Sequence, residues 1–123
     1  MVLVDTSIWI RFLAKRNPYA AELGDLLDRG EAAGHDLIYG ELLIGDSGGR
    51  REFLKSYGFI HRISTVPHAD VVAFASARNL HGRGIGWIDA HLLASTLTSA
   101  STLWTLDRRL AAAATKLHLT SFR

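Results

Sequence analysis

Val2-Leu3-Val4 is an apolar run of three residues that stops on an acid, Asp5. Near the other end of the chain Leu103-Trp104-Thr105-Leu106 stops in the same way, on Asp107. Runs this short and this apolar read as strands buried on both faces, the habit of parallel sheets covered by helices. Between them extended and helical signals alternate, which implies a parallel sheet with helices on both of its faces. No repeat, low-complexity tract or Pro/Gly-rich linker divides the chain. The expectation is one α/β domain over residues 1–123, with 48% apolar residues to fill its core.

The helical signals follow from caps and spacing. Asp5, Thr6 or Ser7 can cap a helix from Ile8 to about Lys15. Asn17-Pro18 starts a second helix, with Asn as cap and Pro in the first position. Its apolar residues Tyr19, Leu23, Leu26 and Leu27 recur at helical spacing until Gly30. Leu37-Ile38-Tyr39 is a very short apolar run, and another helix is expected from Gly40. A basic helix with Arg50, Arg51 and Lys55 follows, ended by Gly58. A strand is expected over 59–66, helices over 68–80 and 87–97, and a helix from Arg108 to Lys116. A last edge strand is expected from Leu117 to Ser121. His81 to Gly86 reads as a loop rich in glycine.

Composition excludes several chemistries. There is no cysteine, hence no disulfide, no thiolate metal site and no cysteine nucleophile. That fits a cytoplasmic protein. No apolar stretch approaches the ~20 residues of a membrane span. The net charge is +2, from 14 Lys and Arg against 12 Asp and Glu. Committing four acids to a metal leaves 14 against 8, or +6, a modest attraction for a polyanion.

Four acids stand out. Asp5 and Asp107 end strands, and ligands of open parallel sheets bind beyond the carboxyl ends of the strands. Glu41 and Asp89 are expected in first helical turns among apolar neighbours, Tyr39 and Leu42 around one, Ile88 and Leu92 around the other. Each acid has an ordinary alternative: Asp5 and Asp107 as helix caps, Glu41 and Asp89 as first-turn acids favoured by the helix dipole. If the four converge, like charges ~4 Å apart repel by ~4 kcal/mol at an effective dielectric of ~20. Convergence then demands protons or a cation. Oxygen donors favour Mg²⁺ or Mn²⁺, and a metal-bound water can attack a phosphodiester.

The segments carrying these acids, Asp5-Thr6-Ser7-Ile8-Trp9-Ile10, Gly40-Glu41-Leu42, Gly86-Trp87-Ile88-Asp89-Ala90-His91-Leu92-Leu93-Ala94 and Leu103 to Leu110, resemble the PIN-domain ribonucleases. Within that family the chain is most similar to the VapC toxins of bacterial toxin–antitoxin pairs. The resemblance covers nearly the whole chain. It implies a three-layer α/β/α sandwich around a parallel sheet of about five strands. It also implies a Mg²⁺-dependent (or Mn²⁺-dependent) endoribonuclease acting on RNA such as tRNA or rRNA. It places Asp5, Glu41, Asp89 and Asp107 at the family's acidic metal site, with Asp5 and Asp89 as direct ligands. Thr6, Thr105 and Arg108 are supporting candidates. Where some members carry a further acid after the third one, this chain has His91 and Leu92. A VapB-type antitoxin and a homodimer are the implied partners. Trp9, Phe12, Leu13, Leu23 and Leu27 offer either a groove for the antitoxin or ordinary core, and core is the default.

The remaining candidates carry less. His35, His61, His68, His81, His91 and His118 show no HxH or HExxH spacing. Arg108 and Arg109 sit beside Asp107 and have a better claim on a substrate backbone than the Arg50, Arg51 and Lys55 face. Two rival functions remain. Phosphotransfer on a small molecule normally needs paired acids after the first strand, and here Thr6 and Ser7 follow Asp5. A non-catalytic partner-binding module with the same fold would not need four acids.

Overall fold

The structure, a computed structural model, describes residues 1–122. Four strands, β1 (Val2–Val4), β2 (Ala32–Gly34), β3 (His61–Arg62) and β4 (Thr102–Trp104), form one sheet in the order β3-β2-β1-β4. All pairings are parallel. Seven helices surround them: α1 (Thr6–Leu13), α2 (Tyr19–Asp28), α3 (Asp36–Ile44), α4 (Arg51–Tyr57), α5 (His68–Ala77), α6 (Trp87–Ser99) and α7 (Arg108–Lys116). The arrangement is the expected α/β/α sandwich, with one strand fewer than the five expected. Leu117–Ser121 supplies only a parallel bridge between Ser121 and Leu103.

The core follows the sequence pattern. Every residue of β1 is buried, as a strand covered on both faces must be. On α1 the buried residues are Ile8 and Trp9, each worth roughly 1.5–3 kcal/mol of burial. The Trp9 indole N–H donates to the Val4 carbonyl at 3.1 Å, so the ring is buried with its polar handle satisfied. Its faces and edges meet Phe12, Phe53 and Tyr57 at ring distances of 5.8, 5.5 and 5.3 Å. Trp9 and Leu23 are therefore core and not groove surface, while Phe12, Leu13 and Leu27 are partly buried against that core.

Three local expectations need correction. The second strand is Ala32–Gly34, and Leu37-Ile38-Tyr39 lies inside α3. Ala-Ala-Gly carries no strand propensity. Its place is set by pairing with β1 and by space: a Cβ on Gly34 would lie 2.9 Å from Tyr57 Cζ. The helix accordingly starts at Asp36, capped by the His35 imidazole, which accepts the Leu37 N–H at 3.1 Å. Glu41 is thus not in a first turn; it sits in the second half of α3. The strand expected over 59–66 shrinks to His61–Arg62. Phe59 and Ile60 spend their N–H groups on turn bonds back to Ser56 and Tyr57 at the end of α4.

The strand order reverses about β1, which pairs with β2 on one side and β4 on the other. Such a switch point leaves a crevice beyond the carboxyl ends of the strands. Asp5 and Thr105 both lie there.

Candidate functional site

The β1–β4 register sets Val4 against Trp104, so the next residues of the two strands, Asp5 and Thr105, emerge side by side. The Asp5 N–H still pairs with the Trp104 carbonyl at 2.9 Å. The Asp5 side chain makes no bond to cap α1, although it stands at the cap position. Its Oδ2 instead accepts the Thr105 hydroxyl at 2.7 Å and the Ser7 hydroxyl at 2.9 Å. Asp5 is only 7% exposed, and two donors are what a carboxylate so buried needs. Ser7 Oγ in turn accepts the Leu106 N–H, and Thr105 Oγ1 accepts the Asp107 N–H, both at 3.0 Å. The start of α1 is thereby stitched to the segment after β4.

The other acids are also held. Glu41 Oε1 accepts the Thr6 hydroxyl at 2.7 Å, which ties α3 to α1. Asp89 lies in the first turn of α6, as its sequence context suggests, and its Oδ2 accepts the Gly86 N–H at 3.1 Å. Asp107 caps α7: its Oδ1 accepts the N–H groups of Arg109 and Leu110 at 2.9 and 3.1 Å. The capping alternative for Asp107 therefore holds for one oxygen.

Electrostatics links the four. Burial pushes the Glu41 carboxyl above its usual range; the Thr6 hydrogen bond opposes this, and the charges of Asp5 and Asp89 add to it. Burial likewise raises Asp89; the Gly86 N–H opposes, while Asp5 and Asp107 add. The charges of Asp5 and Asp89 thus reach Glu41, and those of Asp5 and Asp107 reach Asp89. Among the described residues no three Asp, Glu or His side chains are placed together so that they could hold a metal ion. Each carboxylate is instead held by hydroxyl or amide donors. The donor chemistry, carboxylates backed by hydroxyls, suits a hard divalent cation. Ser7 and Gly86 were not anticipated as partners; the hydroxyl beside Asp5 was the only signal for the first.

The buried histidines lie apart from this chemistry. His35 Nδ1 accepts from Leu37, so Nε2 carries the proton and donates to Ser95 Oγ at 2.9 Å. Burial lowers its pKa to about 4, which keeps it neutral. His91 packs edge-on against Trp87, which also meets His68.

Comparison with known proteins identifies the family and the fold. The PIN domain profile matches residues 2–116. Ribonuclease VapC32 from two strains of Mycobacterium tuberculosis is 40% identical over 114 residues, covering 92% of this chain and 90% of that protein. The structure of FitAB bound to an IR36 DNA fragment superposes with a TM-score of 0.70 at 20% identity, covering 99% of this chain and 94% of that one. FitAcB from Neisseria gonorrhoeae superposes at 0.66 and 20% identity, over 100% and 97% of the two chains. PAE2754 from Pyrobaculum aerophilum superposes at 0.59 and 22% identity, over 91% and 83%. At these identities the structural likenesses speak to fold alone.

Proposed function

The chain belongs to the PIN domain family, and from that premise we propose that it is a metal-dependent endoribonuclease, the toxin of a toxin–antitoxin pair. The 40% identity to a protein named as a ribonuclease supports the reaction class. The observation that carries the reading is electrostatic. The charges of Asp5 and Asp89 add to the cost of ionising Glu41, and those of Asp5 and Asp107 add to that of Asp89, with Asp5 standing at the strand-order switch. A fold that needed only caps and helix-terminal acids would gain nothing from placing like charges within reach of one another.

In this reading Asp5, Glu41, Asp89 and Asp107 hold Mg²⁺, with Mn²⁺ as substitute. A bound divalent ion would lower the pKa of a water and neutralise the phosphate. The chain's own residues do the rest. Thr105 and Ser7 fix the Asp5 carboxylate, and Thr6 fixes Glu41. Glu41 and Asp89 are the acids most costly to keep charged, so they gain most from a cation. Arg108 follows the site directly and can hold a substrate phosphate.

The partners proposed are RNA, a VapB-type antitoxin and a second copy of the chain, in the cytoplasm. The large apolar side chains of Leu43, Ile44 and Phe59 stand exposed, area that a protein partner would bury. Among the described residues no helix is long and apolar enough to cross a membrane. The test is cleavage of bulk RNA, tRNA included, by wild type and Asp89→Asn with Mg²⁺, Mn²⁺ or EDTA. Cleavage that requires metal and vanishes in the variant is expected. Equal cleavage by both proteins would refute the assignment.

A further inference from the structure

Beside the acidic crevice runs a cleft of about 320 Å³ with the opposite charge. Arg83, Arg108, Arg109 and Lys116 line it, with Ala112 and Ala113 as its floor, and no carboxylate lines it among the described residues. The ion pairs Arg29–Glu31 and Arg62–Asp36 lie elsewhere. Two of the four cations occupy the first turn of α7, the end where the helix dipole disfavours positive charge. Their placement does not serve the helix; it concentrates positive potential at one spot.

The cleft is built rather than accidental. Its far wall is Arg83, carried by the loop from Gly82 to Gly86. Gly84 has a φ of +73°, and a Cβ there would lie 2.7 Å from Arg109 Cδ and Nη1, so the loop backbone presses on that guanidinium. Arg83 is anchored from the same loop through its Nε–H to the Asn79 carbonyl at 2.9 Å. The loop ends at Gly86, whose N–H holds Asp89. The other wall begins one residue after Asp107. Arg83 thus precedes Asp89 by six residues and Arg108 directly follows Asp107, so both walls of the cleft connect to the acidic site over short lengths of chain. Arg109 and Lys116 are seven residues apart on one face of α7, about 10 Å along the axis. That length is enough to meet more than one backbone phosphate of a single strand.

We propose that the cleft between the Gly82–Gly86 loop and α7 is a phosphate-binding track that takes the RNA backbone leaving the acidic site, with Arg83 and Lys116 as its outer contacts. This rests on the ribonuclease reading above. Cations that make no ion pair among the described residues, set beside two alanines, contact phosphates, not base edges, so the track supplies affinity and direction and no sequence preference.

The test uses the full chain in an Asp89→Asn background, to prevent cutting, and a fluorescein-labelled 12-nucleotide RNA of mixed sequence. Anisotropy titrations from 50 to 300 mM KCl compare this protein with one also carrying Arg83→Ala and Lys116→Ala. Each phosphate contact to a single strand contributes a slope of ~0.7 in log affinity against log salt. Loss of two contacts should lower the slope by about 1.4 and weaken binding about 25-fold at ~0.1 M salt. Arg83→Lys with Lys116→Arg should retain both. Unchanged affinity and slope in the double alanine variant would overturn the track and leave the nuclease reading intact. Loss of binding to polyglutamate but not to RNA would also overturn it, because the cleft would then take an acidic protein segment. Conversely, wild-type protein that cleaves no RNA with any metal, while the track still binds RNA as described, would sink the nuclease reading alone.

Discussion

Thr105→Val isolates what holds Asp5 in place. Valine keeps the β-branch and nearly the volume of threonine but carries no hydroxyl. Two bonds are lost: the 2.7 Å donation to Asp5 Oδ2 and the 3.0 Å acceptance from the Asp107 N–H. A hydrogen bond to a charged group contributes about 1.5–3 kcal/mol. The low end applies, because Thr105 is half-buried and Ser7 still donates to the same oxygen at 2.9 Å. Asp107 is exposed, so water replaces the second bond at little cost. The expected destabilisation is about 1.5 kcal/mol. With an unfolding entropy of ~2.1 cal/mol/K per residue over a chain of this length, that lowers Tm by about 6 °C. The functional effect should be larger. Removing an outer-shell partner of a metal-binding carboxylate typically costs 10–100-fold in metal affinity or activity. The assay is RNA cleavage against Mg²⁺ concentration, beside thermal melts in EDTA. The Mg²⁺ midpoint should rise about 10–100-fold, and Thr105→Ser should restore both readings. A variant with unchanged Mg²⁺ midpoint and unchanged Tm would show that Asp5 is positioned by something else, and the account of the site would be wrong.

Other perturbations probe the same structure. Asp89→Asn removes a charge that burial, Asp5 and Asp107 all make costly, so the metal-free Tm should rise; a fall in circular-dichroism melts would argue against mutual repulsion. Glu41 and Asp89 have folded-state proton affinities raised above the ordinary 4.5 and 3.8. Their penalty is absent below those values and grows as pH rises through the raised folded ones. In EDTA the stability of wild type relative to a Glu41→Gln, Asp89→Asn double variant should therefore decline as pH climbs out of that range, read from urea midpoints. Tyr57→Phe leaves the buried His35 N–H, now bonded to the Tyr57 hydroxyl at 2.9 Å, without its acceptor. A loss of about 1–3 kcal/mol in urea unfolding is expected.

The sequence was most legible where local chemistry and tertiary need agree. Arg108–Lys116 forms α7 as expected because Asp107 is a strong cap for a run of alanines. Val2–Val4 forms β1 because nothing but a doubly covered strand suits so short an apolar run. Ala32–Gly34 was invisible because its strand identity comes from neighbours: β1 beside it and the Tyr57 ring above Gly34. The sequence points Glu41 to a first helical turn, and the structure places it later, because a histidine, not an Asp or Ser, caps α3. At the site, the four acids could be picked out as acids in improbable places. Their restraints could not, since Thr6–Glu41 and Thr105–Asp5 join residues 35 and 100 positions apart. The cationic cleft had only Arg108 and Arg109 as a sequence clue, for Arg83 and Lys116 join it through the loop's path and the turn of α7.

The Thr105–Asp5 bond also sets a clock. Asp5 leaves a ribosome 100 positions ahead of its hydroxyl partner, Thr105. At a synthesis rate of ~5–20 residues per second, roughly 5–20 seconds separate the two. Through that interval the acid crevice lacks one strand and one cap, and the cleft beside it lacks three of its four cations. A chain laid out this way cannot complete the crevice until β4 and the start of α7 have been made.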